Sequence, residues 1–178
     1  DRLIGRITAD DIVWVLQEEA EEDILRLGGV FETEMNQSVI KSTQKRFVWL
    51  FLNLLTAILA SIVISFFDAS IEKMVALAVL MPIIASMGGN AGTQTLTLTV
   101  RSLATKELVD KNRKKVFAKE ISISILNGII FAILTSVAAI IWFNDLSLAI
   151  IVGAAMIINI FSAGLFGFMI PYSLNYFK

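Results

Sequence analysis

Residues 81–100 read MPIIASMGGNAGTQTLTLTV and end a run, from Met74 to Val100, that contains no charged side chain. About 20 such residues cross the hydrocarbon core of a bilayer as a helix. The same residues also carry hydroxyl and amide side chains, and polar groups at membrane depth are normally buried in protein or face a water-filled cavity. We therefore predict a membrane-spanning helix with one polar face.

Three more uncharged runs have sufficient length to cross a membrane: 47–67, 121–144 and 146–177. Of the 178 residues 56% are hydrophobic and 17% charged, whereas soluble domains are about 45–50% apolar and about 25% charged. A soluble domain of this size cannot bury four helices that are apolar all round. We predict an all-α, polytopic membrane helix bundle with spans at about 47–67, 72–101, 117–144 and 146–177.

Basic residues predict the orientation of these spans. Lys41, Lys45 and Arg46 precede the first span, and the connection after the second span, 101–120, holds most of the remaining bases. By the positive-inside rule, the N-terminus, residues 101–120 and the C-terminus are cytoplasmic. We expect a multi-pass protein of the cell (inner) membrane, with the basic run at 111–119 also suited to lipid headgroups.

Composition excludes several kinds of chemistry. The sequence contains no Cys and no His, so disulfides, Cys-based zinc sites and imidazole ligands are absent and a bound metal needs oxygen ligands. No basic stripe interleaved with aromatics indicates a nucleic-acid partner. We see no nucleophile–base pair or phosphate-binding loop, and we do not expect an enzyme.

The first 40 residues are strongly acidic, with ten acids against three bases. The pattern predicts a short cytoplasmic strand over residues 1–7, then an amphipathic helix that begins with Thr8 as N-cap and stops at Gly28. Its polar face carries crowded carboxylates, which repel one another at helical spacing. This face is either simply solvated or neutralised by divalent cations.

The polar face of the second span has two interpretations. Gly88 and Gly92 form a small-xxx-small spacing that is typical of helix packing. Packing does not require Asn90, Thr93 and Gln94 as well, so we favour a pore or binding wall. Because the wall is uncharged and Mg²⁺ gives up water reluctantly, it suits an ion that passes with its hydration shell.

Three segments together resemble the MgtE family of magnesium channels and transporters. They are SMGGNAGTQTLTLTVRSLATKEL at 86–108, VFAKEISISILNGI at 116–129 and GRITADDIVWVLQEEAEEDILRLGG at 5–29. The last is similar to the junction between a second cystathionine-β-synthase-type (CBS) domain and the plug helix of that family. The resemblance implies the end of the CBS domain and plug at 1–29, a linker at 30–46 and the pore domain at 47–178.

The resemblance also implies a homodimer with a central pore that is gated by cytosolic Mg²⁺. The matching ion-path positions are Gly88, Gly89, Asn90, Gly92, Thr93, Gln94 and Thr97. The matching regulatory metal positions are Asp11, Glu19, Glu22 and Asp23, whereas Trp14 replaces a further acid of the family.

The family continues into a fifth span that carries its pore aspartate, for which this sequence has no counterpart. We therefore expect the sequence to lack a complete selectivity site, and nearly all of the CBS region, where ATP is a possible ligand. The expected function is Mg²⁺ transport across the membrane. The alternatives are a proton- or ion-coupled transporter of another solute and a membrane-anchored signalling or scaffold module.

Overall fold

A computed structural model describes residues 8, 10–15, 18, 22, 25, 28–30, 38–109 and 111–176. The chain divides into two units, residues 1–62 and residues 63–178. In the first unit, residues 10–15 are helical and residues 28–30 form a turn. Gly29 adopts a φ of +67° in this turn, a conformation that glycine tolerates best. The predicted strand at 1–7 lies outside the described residues.

Five helices with continuous bounds follow: α1 (Val39–Ser65), α2 (Asp68–Lys73), α3 (Val75–Ala104), α4 (Arg113–Phe143) and α5 (Leu146–Tyr176). All but α2 are long and apolar enough to cross a membrane. The prediction of an all-α membrane bundle with four spans is therefore confirmed.

The helices extend beyond the uncharged runs that predicted them. α1 begins at Val39, within the expected linker, and α4 begins at Arg113. α5 continues through Pro171 to Tyr176, so this proline does not end the helix. Lys and Arg side chains can hold their charges in water while their stems follow the apolar surface, and so charge does not stop a helix at the membrane boundary.

Helix α5 is the centre of the second unit. It packs along both α3 and α4, while α3 and α4 touch each other very little. One core cluster joins the three helices through the following residues: Leu80, Ala139, Leu148, Ala149 and Val152. A second cluster lies further along α5, around Met156 and Ile160. Since α3 and α4 are held by α5 rather than by each other, a groove remains between them.

Small residues let α4 and α5 approach closely. The Cα of Ile157 lies 3.3 Å from the position that a Cβ on Gly128 would take. The Ser136 hydroxyl donates to the carbonyl of Ala149 across the helix pair at 2.8 Å. Gly164 leaves the space that Ser124 occupies. These contacts make α4 and α5 a rigid support for the third helix.

Both ends of the α4–α5 pair are fixed by polar contacts. Asn144 ends α4 in the left-handed region at φ 50°, and the Asp145 carboxylate accepts from the backbone N–H groups of Ser147 and Leu148 at the start of α5. At the other end, Arg113 donates to the Tyr172 hydroxyl at 2.7 Å. The helix ends therefore hold α4 and α5 in register.

Candidate ion path

A groove of about 680 Å³ opens between α3 and α4. Its lining from α3 comprises Met87, Asn90, Ala91, Thr93, Gln94, Thr97, Leu98 and Arg101. α4 contributes Asn127 and Phe131, and α5 contributes Ile160 between them. The three long helices α3, α4 and α5 thus meet at this groove.

The α3 wall of the groove contains four of the residues that the sequence predicted for the ion path: Asn90, Thr93, Gln94 and Thr97. They share one face because helical residues three and four apart are neighbours. With a rise of about 1.5 Å per residue, they extend over about 10 Å of the helix axis. The first three are exposed and Thr97 is half-buried, so their polar groups can contact water in the groove.

Thr93 presents a hydrogen-bond acceptor to the groove. Its hydroxyl donates to the Gly89 carbonyl one turn earlier, at 2.9 Å. With its proton used in this bond, the hydroxyl oxygen offers lone pairs to other donors. Water molecules bound to a cation turn their hydrogens outward, so they need acceptors of this kind. The Thr93 oxygen is therefore suited to a hydrated cation.

The three predicted glycines do not line the groove. A Cβ on Gly88 would overlap the amide of Asn159, and a Cβ on Gly92 would meet Ala163 at 3.7 Å. Both glycines therefore face α5, and their small-xxx-small spacing serves helix packing. A Cβ on Gly89 would meet nothing within 4 Å, although its carbonyl positions the Thr93 hydroxyl.

Two polar lining residues were missed by the sequence analysis. The exposed side chain of Asn127 on α4 lies across the groove from the α3 wall. Arg101, one turn beyond Thr97, is the one charged side chain among the described residues that line the groove. Its four-residue spacing from Thr97 was the signal that could have placed it there.

Glu120 is the one acidic residue of α4 and lies near the start of that helix. The structure buries Glu120 to 5% exposure, and Glu120 is not among the residues that line the groove. We therefore do not include Glu120 in the ion path.

The predicted regulatory acids belong to the first unit, where the structure describes Asp11 and Glu22; Glu19 and Asp23 lie outside the described residues. The Asp11 carboxylate accepts from both the backbone N–H and the hydroxyl of Thr8, each at 2.7 Å. The hydroxyl bond, followed by the backbone bond, lowers the pKa of Asp11 below its usual 3.8. Among the residues that the structure describes, no three carboxylates form a metal-binding group.

Comparison with known proteins matches residues 81–178 to the family model MgtE, a divalent cation transporter. The magnesium transporter MgtE of Thermus thermophilus is 34% identical over 177 residues, which are 98% of this chain and 39% of that protein. The proteins of the same name from Enterococcus faecalis and Bacillus subtilis are 32% and 29% identical, with 98% and 99% of this chain covered. The chain spans 39% of the length of each of these relatives.

The matched residues 81–178 include all the residues that line the groove, and the four long apolar helices identify a multi-pass membrane protein. The family is one of transporters, which agrees with the transport function expected from the resemblance. The chain therefore belongs to the MgtE family of divalent cation transporters.

Proposed function

We propose that this chain conducts Mg²⁺ across the membrane along the α3 wall of the groove. The observation that carries the proposal is the alignment of Asn90, Thr93, Gln94 and Thr97 on an accessible surface inside a membrane-spanning bundle. Such polar groups are costly at membrane depth unless they face water or protein. The names of the three relatives, all magnesium transporters, support the choice of ion.

The ion passes with its water. Mg²⁺ prefers octahedral coordination and dehydrates reluctantly. Six waters occupy about 180 Å³ at about 30 Å³ each, which fits within the 680 Å³ of the groove. The neutral wall holds these waters through acceptor oxygens such as that of Thr93, and so it does not need to replace the hydration shell.

The working unit in this proposal is a homodimer. Asn90, Thr93 and Gln94 are exposed in the single chain, and side chains of this kind do not face lipid in a stable protein. A second copy placed against the same face would enclose the groove on all sides. Two-fold symmetric dimers are also the commonest assembly of identical chains.

Cytosolic Mg²⁺ closes this path by binding the acidic segment at Asp11, Glu19, Glu22 and Asp23. The excess of carboxylates in the first 40 residues supports this step, because a divalent cation relieves their repulsion. Mg²⁺ must bind the closed state more tightly than the open state to shift the population. This arrangement places the N-terminus in the cytoplasm of the cell, in agreement with the basic residues that flank the spans.

The experiment is Mg²⁺ flux into liposomes that contain the full-length protein. Asn90→Leu removes the amide from the wall and should lower the flux at least 5-fold, since it costs a hydrated ion one or more hydrogen bonds of about 1 kcal/mol each. Asn53→Leu, an identical exchange on α1, should leave it within 2-fold. Equal flux in Asn90→Leu and the natural protein, at equal amounts of folded protein, would refute the proposal.

Gating is tested by the double variant Glu22→Ala with Asp23→Ala. Loss of these carboxylates should leave the flux high when the cytosolic side contains millimolar Mg²⁺, while the natural protein is inhibited. Exchanging Glu107, an acid outside the acidic segment, for Ala provides the control. Normal inhibition in the double variant would contradict the sensor assignment but not the ion path.

A further inference from the structure

Asn159 of α5 reaches the backbone of α3 beside the groove. Its side-chain N–H donates to the carbonyl oxygen of Ile84. A methyl group on Gly88 would overlap the amide atoms of the same side chain. Gly88 therefore supplies the space in which the Asn159 amide lies, and Ile84, one helical turn earlier, supplies its acceptor.

This contact is one of a row of close contacts between α3 and α5, which we call the seam. Further along, Gly92 lies against Ala163, and a Cβ on Gly167 would meet the Gly92 carbonyl at 2.9 Å. Small apolar residues thus suffice for close packing at the next turn. Asn159 is half-buried, and removing an amide from water costs free energy unless it is hydrogen-bonded, so the amide at Asn159 calls for an explanation beyond packing.

The seam determines which way α3 faces. Successive helical residues are about 100° apart, so Asn90 and Thr97 lie about 160–180° around the helix from Gly88. Fixing Gly88 against α5 therefore turns these side chains away from α5. The residue next to Asn159, Ile160, lines the groove directly, so the same turn of α5 contacts the groove and holds α3.

We propose that Asn159 is a positioning residue for the ion path. By donating to Ile84 in the space that Gly88 leaves, it fixes the rotation of α3 that presents the polar wall to the groove. This inference rests on the proposed function, because the rotation of α3 matters for transport when ions pass along that wall. Asn159 itself does not need to touch the ion.

The test uses the full-length protein with Gly88→Ala, Asn159→Ala and the two combined. Gly88→Ala alone should lower the thermal midpoint of unfolding in detergent, since its methyl overlaps the amide. The combined variant should regain the midpoint of Asn159→Ala, because the truncated side chain admits the methyl. Additive losses of stability would show that the two residues do not meet, and would overturn the inference.

Transport then separates positioning from packing. In Asn159→Ala and in the combined variant, the apparent KM for Mg²⁺ in liposomes should rise at least 3-fold, with maximal flux per folded protein changed less than 2-fold. Ala163→Gly, which loosens the same seam without removing an amide, should keep the natural KM. A natural KM in the combined variant would reduce Asn159 to a packing residue and overturn the inference.

Failure of the proposed function gives a different result. If Asn90→Leu does not change the Mg²⁺ flux, the ion path is wrong and the positioning role is overturned with it. The stability coupling between Gly88 and Asn159 would still be measured in that case. If Asn90→Leu lowers the flux while Asn159→Ala leaves KM unchanged, the ion path stands and the positioning role alone is overturned.

Discussion

Thr93 and Thr99 provide a matched pair for testing the groove wall. Both lie on α3, and both hydroxyls donate to the carbonyl four residues earlier, at 2.9 Å and 2.7 Å. Thr93 is exposed in the groove, whereas Thr99 is buried at 3% exposure outside the groove lining. Exchange for Val removes the same hydroxyl in both cases and keeps the shape of the side chain.

We predict that Thr93→Val lowers Mg²⁺ flux and Thr99→Val does not. Loss of one acceptor for a hydrated ion costs about 0.5–1.5 kcal/mol, which corresponds to about a 2- to 10-fold lower flux at subsaturating Mg²⁺. The helix carbonyls keep their backbone donors in both variants. For Thr93→Val, an exchange at an exposed position, the free energy of unfolding should therefore change by less than about 0.5 kcal/mol.

The assay is uptake of Mg²⁺ by liposomes loaded with a Mg²⁺-sensitive dye, normalised to the folded protein in the membrane. Thr99→Val should remain within 2-fold of the natural protein. Transport at the natural rate in Thr93→Val would exclude a role of its hydroxyl in the ion path. Equal loss of flux in both variants would also exclude that role, because it would trace the effect to the helix rather than to the groove.

Three further predictions concern other parts of the chain. Gly164→Ala should destabilise the protein by about 1–3 kcal/mol in detergent unfolding, because its methyl would overlap a serine of α4. Gly89→Ala, with open space around the new methyl, should not destabilise the protein. Arg101→Gln should raise Mg²⁺ flux up to about 4-fold at low salt, since a guanidinium about 10 Å from a divalent ion costs about 0.8 kcal/mol in water. Arg101→Lys keeps the charge and should show no gain, and high salt should reduce the gain of Arg101→Gln by screening. The Asp11 carboxylate should titrate below 3.8 by NMR, and Thr8→Val should raise its pKa towards that value. Because the folded pKa is depressed, Asp11 contributes stability at neutral pH that is lost as the pH falls through the folded pKa. A titration midpoint for Asp11 at or above 3.8 would contradict the hydrogen bonds from Thr8. Loss of stability in Gly89→Ala would contradict the packing prediction, and unchanged flux in Arg101→Gln would contradict the charge prediction.

Uncharged runs in the sequence located the four spans because the bilayer requires continuous apolar length. The short helix α2 was missed, since six residues beginning at Asp68 carry no periodic signal. The extension of α1 back to Val39 was missed because Lys41 and Lys45 were interpreted as linker. Charge at a membrane boundary indicates where the hydrocarbon ends and not where the helix ends.

The polar wall was also accessible from sequence, since Asn90, Thr93 and Thr97 repeat at helical spacing. Gly88 and Gly92 are four residues apart but not at helical spacing from these side chains, and the structure turns both glycines towards α5. The sequence of α3 does not predict which residues of other helices lie opposite the wall, such as Asn127, which lines the groove from α4. Which helix faces which is decided by packing of all three, and no local pattern encodes it.

The ion path along α3 is tested best by measuring whether water reaches its polar wall, and the absence of cysteine from these 178 residues makes this measurement practicable. Single cysteines would replace Asn90, Thr93 and Thr97, with Ile133, an exposed residue of α4 outside the groove lining, as the control. A membrane-impermeant thiol reagent should modify the three wall cysteines, Mg²⁺ should slow this reaction, and modification should stop Mg²⁺ flux. Wall cysteines that react no faster than the cysteine at Ile133, with flux unaffected, would contradict the ion path along α3.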